Sequence, residues 1–254
     1  MKKILFIITT TLLVVSCSKD NDDTGTNQAL VTFDFYHHWD GTEVTKNQFD
    51  LFEYTNANGD LLSINHLRYL ISDIRFIRED GSYLTYTGFS HALINIEKEF
   101  VNGQTPSHHI PQGTYKGVVF TFGFDEENNI SGAYPDLNSE SWNWPENIGG
   151  GYHYLQLEGK YINDIGVEMP YAYHMGPTMD DNEVRDNNHF VVTHMQEFVV
   201  TDDFQLTFKM NLAEWFKNPH TWNLNTYDVN LMMNFEAQKM MQANGQDVFE
   251  ISIN

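Results

Sequence analysis

From Val31 to His38 the chain alternates between two kinds of side chain. Val31, Phe33, Phe35 and His37 fall on one face of an extended strand, and Thr32, Asp34, Tyr36 and His38 on the other. Successive strand residues point to opposite sides, so this pattern specifies a strand with one buried face. Further short runs rich in β-branched and aromatic residues predict strands at Tyr69–Arg78, Tyr83–Phe89, Lys116–Phe124, Tyr152–Tyr161, Phe190–Val200 and Phe204–Asn211. Glu79-Asp80-Gly81-Ser82 reads as a hairpin turn and Asp202-Asp203 as another tight connection. Helical signals are few. One short turn is predicted over Leu212–Lys217, stopped by Asn218-Pro219, and one helix over Leu231–Ala243, ending at Asn244-Gly245. A closing strand is predicted over Val248–Ile253. The expected fold is all-β, a β-sandwich of Greek-key or immunoglobulin-like type with long loops and a short helix near the C-terminus. No linker divides residues 29–254, which predicts a single domain there.

The first 28 residues follow other rules. Lys2 and Lys3 precede an apolar core from Ile4 to Val15 that is too short to span a bilayer comfortably, so residues 1–16 read as a secretory signal. The core ends in Val14-Val15-Ser16-Cys17, which resembles a lipobox, and Cys17 is the only cysteine in the chain. Cys17 is therefore the expected lipidation site, and residues 17–28 a flexible acidic tether. Ser18-Lys19-Asp20-Asn21-Asp22-Asp23 resembles the acidic export signal of Bacteroidetes surface lipoproteins. The expected location is the cell envelope, as an outer-membrane lipoprotein exposed at the surface.

Charge narrows the functions. With 14 basic and 35 acidic residues the net charge is −21, which excludes binding of nucleic acid through phosphate neutralisation. A lone cysteine excludes internal disulfides and cysteine-rich zinc or iron–sulfur sites. The chain has no Gly-x-Ser-x-Gly elbow, no phosphate-binding glycine loop and no His-Glu-x-x-His. No acid–base pair or nucleophile stands out, so no catalytic residue is assigned and a non-enzymatic role is expected.

Eleven histidines remain. Most lie in polar loops or stand alone. Three sit where a rigid scaffold can present a ligand: His37 at the end of the first strand's inward face, His153 after Gly149-Gly150-Gly151-Tyr152, and His174 in Tyr173-His174-Met175-Gly176-Pro177. Neutral imidazole is a common transition-metal ligand, so these three are the candidate metal ligands. Protonated imidazole cannot ligate, so binding should weaken as pH falls below about 6.5.

Taken in order, Phe35-x-His37, Leu67-Arg68-Tyr69-Leu70-Ile71-Ser72-Asp73-Ile74, Pro111-x-Gly113-x-Tyr115, Phe120-x-Phe122-Gly123, Trp144-Pro145, Gly150-Gly151-Tyr152-His153, Leu157-Glu158-Gly159 and His174-x-Gly176 form a series. The series resembles the MbnP-like proteins, relatives of the copper-binding proteins CorA and MopE. It extends from about Val31 to Phe249, though this chain lacks the paired cysteines of the methanotroph forms. The resemblance implies a β-rich extracytoplasmic domain that binds copper through histidines and through kynurenine, an oxidised tryptophan. It also implies a di-haem peroxidase-like partner protein for that oxidation. Trp39, Trp142 and Trp144 are the tryptophans the likeness leaves open. A glycan-binding or adhesion module without metal is the alternative, supported by the aromatic content. Convergent histidines would favour metal, and a row of exposed tryptophans would favour glycan.

Overall fold

The inward face of the first strand is where the core begins. Val31 and Phe33 are fully buried and His37 nearly so, as the alternation requires. The computed structural model describes residues 27–98 and 107–254. The predicted signal, Cys17 and most of the tether lie outside these residues. In chain order the strands are β1 (Gln28–Trp39), β2 (Thr42–Glu43), β3 (Tyr54–Thr55), β4 (Leu61–Arg78), β5 (Tyr83–Thr85), β6 (His91–Asn95), β7 (Ser107–Pro111) and β8 (Gly113–Phe122). After a helical turn α1 (Pro135–Ser139) follow β9 (Leu155–Ile162), β10 (Glu168–Met175), β11 (Thr178–Met179), β12 (Arg185–Asp186), β13 (Phe190–Val200) and β14 (Phe204–Asn211). A helix α2 (Phe235–Asn244) and the closing strand β15 (Phe249–Ile253) complete the chain.

Two sheets carry the fold. The smaller runs β15-β14-β1-β2, with β7 also on β1, and the larger runs β10-β9-β4-β8-β13, with β3, β5 and β6 also on β4. The β1–β14 pair is parallel, and the other pairings are antiparallel. Strands make up 47% of the described residues and helical residues 15%, a strand-dominated sandwich as expected. The core between the sheets is aromatic. Phe35 stacks on Phe208 at 5.1 Å, Tyr69 on Phe122 at 6.1 Å, and Phe120 meets Phe249 edge-on at 5.1 Å. Such contacts bury large apolar areas in the geometries aromatic rings prefer.

Several boundaries differ from the sequence expectation. β4 starts at Leu61 rather than Tyr69, because register shifts at Ile64/His66 and Ser72/Arg75 break the period-two signal along one continuous strand. β5 ends at Thr85: Tyr86 keeps one backbone bond to Ile74 of β4, and the Tyr86 and Phe89 rings pack on Phe33. The strand expected from Tyr152 begins at Leu155, because Tyr152 bridges Asn143 instead. The helix expected at Leu231 opens as a 3₁₀ turn over Leu231–Met233. The α-helix starts after Asn234, whose side chain accepts the Ala237 N–H as an N-cap.

Candidate metal centre

β9 and β10 place the first half of the site. They pair His174 with Gln156 and Ala172 with Glu158, and β4 pairs Arg68 with Gln156 on the other side. Tyr173, one residue before His174, points between the sheets and donates its hydroxyl to the Trp215 carbonyl. Strand alternation therefore puts His174 on the outer face of the larger sheet, beside Glu158, Gln156 and Arg68.

The loop 142–153 covers that face. Trp144 N–H bonds the Gly151 carbonyl, and His153 N–H bonds the Trp142 carbonyl, so the loop folds back on itself as a short ladder. Gly151 has φ of 84°, and a Cβ there would fall 2.3 Å from the Asn129 side chain; only glycine fits this bend. Gly176 lets the Trp144 ring approach, since a Cβ there would come within 2.6 Å of the indole. The guanidinium of Arg68 lies 4.9 Å over the Trp142 ring and its Nη1 donates to the Glu140 carbonyl, tying the loop to the sheet.

These constraints bring His153 against three rings: Trp144 at 4.8 Å, Trp142 at 5.3 Å and His174 at 5.5 Å. The hydrogen bonds define the tautomers. A carbonyl oxygen only accepts, so His153 Nδ1 donates to the Trp142 carbonyl at 3.1 Å and Nε2 keeps its lone pair. A carboxylate likewise only accepts, so His174 Nε2 donates to Glu158 at 2.8 Å and Nδ1 keeps its lone pair. The bond to His174 holds the Glu158 carboxyl below its usual range. Burial, aided by the neighbouring His174, lowers the His153 pKa from 6.5 to about 3. His153 therefore stays neutral well below the pH near 6.5 expected from an unperturbed imidazole.

His37 occupies a different place. Its Nε2 lies 3.0 Å from the Tyr69 hydroxyl, on the inner face of β4. Tyr69 and Arg68 are successive strand residues, so His37 and the His153–His174 pair lie on opposite sides of the larger sheet. Burial lowers the His37 pKa to about 4 and raises that of Tyr69 well above 10. Of the three predicted ligands, the structure brings two together.

The residues present fit a soft cation in part. Two imidazoles, each oriented through one ring nitrogen with the other left to ligate, suit copper. Among the described residues no group of three or more His, Cys, Asp and Glu side chains is arranged to hold a metal. Trp142 Nε1, buried in the same wall, has no hydrogen-bond partner, so the pocket is left short of one polar contact. Glu158 and Arg68 were not singled out by sequence reasoning. Counting by two from buried Leu157 would have put Glu158 on the outer face, but not beside His174.

The site is thus a pair of histidines under a tryptophan-bearing loop, carried on the outer face of a two-layer β-sandwich. The sequence profile described as MbnP matches residues 28–234, and the chain belongs to the MbnP family. Among solved structures it is similar to MbnP from Methylosinus trichosporium, with a TM-score of 0.55, 14% identity, and coverage of 89% of this chain and 99% of that one. That likeness is one of fold. None of the curated proteins matches.

Proposed function

We propose that this protein binds copper through His153 and His174, for acquisition or delivery rather than catalysis. One observation carries the reading: two imidazoles 5.5 Å apart, each oriented by a hydrogen bond that leaves a lone pair free. Family membership supports copper as the metal. When bound, copper would add a redox-active, thiol-free centre beneath two tryptophans. Trp142 and Trp144 both touch His153, whereas Trp39 packs on Tyr54 and Phe216 between the sheets. The reading therefore takes Trp142 or Trp144 as the source of any kynurenine, formed with a di-haem peroxidase-like partner protein. It places the domain at the cell envelope, on a lipid anchor at Cys17. All five tryptophans are buried, which removes the exposed aromatic row that a glycan-binding surface needs.

The test is a Cu(I) competition titration of the parent against His153→Ala, His174→Ala and His37→Ala. The expected result is at least about 100-fold weaker binding for the first two, in line with loss of a ligand, and parent-like binding for the third. Unchanged affinity in both His153→Ala and His174→Ala would exclude the site. A mass spectrum of protein from its native envelope checks for an oxidised tryptophan on the peptide 142–144.

A further inference from the structure

A second constellation lies away from the histidine pair, where β6 meets α1. Ser90 Oγ is 3.0 Å from His91 Nδ1, and His91 Nε2 is 2.9 Å from Asp136 Oδ2. The direction of this line follows from its end. The Asp136 carboxylate can only accept, so Nε2 carries the proton. Nδ1 then presents its lone pair, and the Ser90 hydroxyl must donate to it. Serine, imidazole and carboxylate thus stand in the roles of nucleophile, base and orienting acid, and those roles are recognised by geometry rather than by sequence position.

The setting is built to hold the imidazole. Tyr134 and Phe124 flank the His91 ring at 4.6 Å and 5.3 Å, and the His91 side chain is 9% exposed. Ser90 instead lines a cavity of about 440 Å³, walled by Phe89, Phe124 and Tyr134. Two backbone donors lie next to the serine. The N–H groups of Gly88 and Ser90 have no hydrogen-bond partner among the described residues. Gly88 cannot carry a side chain, because a Cβ would fall 2.3 Å from the Tyr86 hydroxyl and 2.8 Å from His108. Asp73 and Asp125 line the same cavity and repel anions.

We propose that Ser90, activated by His91 and Asp136, takes acyl groups from small uncharged or cationic carboxylic esters and passes them to water. Ser90 Oγ forms a bond to the ester carbonyl carbon as its proton moves to His91 Nδ1. The bond from that carbon to the leaving oxygen breaks, and His91 returns the proton to the departing alkoxide or phenolate. Water then attacks the acyl-serine with His91 again accepting the proton, the Oγ–carbon bond breaks to release the carboxylic acid, and His91 Nδ1 returns that proton to Ser90 Oγ. The Nε2 proton stays on the ring, hydrogen-bonded to Asp136. The unpartnered Ser90 N–H, on a residue that lines the cavity, is a donor available to the carbonyl oxygen as it gains charge.

The experiment uses the full chain and p-nitrophenyl acetate. The parent is expected to release p-nitrophenolate at least about tenfold faster than Ser90→Ala, with acetate on the Ser90 peptide by mass spectrometry. Asp136→Asn should slow release, and Ser90→Cys should still be labelled at position 90. Near-UV circular dichroism verifies that the variants are folded; Ser90 is exposed, so its replacement leaves the core intact. Equal rates for folded parent and Ser90→Ala, or acetate found only on lysines or other histidines, would overturn the proposal. The anionic ester p-nitrophenyl hemisuccinate should react more slowly than the acetate; an equal rate would overturn the role given to Asp73 and Asp125.

Discussion

His37 and His153 have nearly the same burial and are both neutral, yet they sit in unlike surroundings. His37 is enclosed between the sheets with Tyr69 as its hydrogen-bond partner. His153 lies on the outer face, against a second imidazole that is tethered by a carboxylate. Desolvation alone depresses both pKa values, so a shifted pKa does not separate a packed histidine from a ligand. What separates them is a second imidazole, and partner groups that use one ring nitrogen and leave the other free.

Removing a wall of the outer site should have the largest effect. Trp142 is fully buried, touches His153 and lies beneath Arg68. Trp142→Ala should cost about 3–5 kcal/mol in denaturant unfolding, from lost burial plus the cavity left behind. It should also weaken copper binding, whereas a comparable cavity beside His37 should not. Copper affinity unchanged in a folded Trp142→Ala protein would break the distinction between the two regions.

Acid should affect both regions in metal-free protein, with the same sign. Each histidine has a folded pKa below its unfolded value of 6.5, so the unfolded chain takes up the proton first. The stabilisation is complete above about pH 6.5 and is lost as pH falls toward 4 for His37 and 3 for His153. In His37→Gln the stability difference between pH 7 and pH 4.5 should shrink by roughly 2 kcal/mol, at about 1.4 kcal/mol per pKa unit. Parallel stability–pH curves for parent and variant would show that His37 is not held neutral by burial.

The smallest effect sharpens the comparison most. Glu158→Gln keeps the shape but exchanges a carboxylate for an amide opposite His174. Copper affinity should fall about tenfold, because the orienting partner of the ligand weakens, while unfolding free energy changes by less than about 1 kcal/mol for a half-exposed group. A large loss of stability with unchanged copper binding would assign Glu158 to the fold and not to the site.

The strand alternation of Val31–His38, the runs of β13 and β14, the hairpin turn between β4 and β5 and the late helix were all legible in the sequence; that the tight connection at Asp202-Asp203 crosses from one sheet to the other was not. Each is a local pattern of period two, turn chemistry or capping, and local patterns survive in any context. The bulges of β4 were not legible, because an unpaired residue shifts the phase without changing composition. The candidate site divides the same way. Alternation told which face a histidine occupies on its own strand. It could not tell which strand lies alongside, since that depends on ladders between residues far apart in the chain. Those ladders set His174 beside Glu158 and His153 while leaving His37 across the sheet, and they carried Asp136 on α1 to His91 on β6. The sequence by itself determined a β-sandwich of the MbnP family with histidines at strand ends. Only the tertiary structure decided which of them meet, because convergence is a property of non-local pairing.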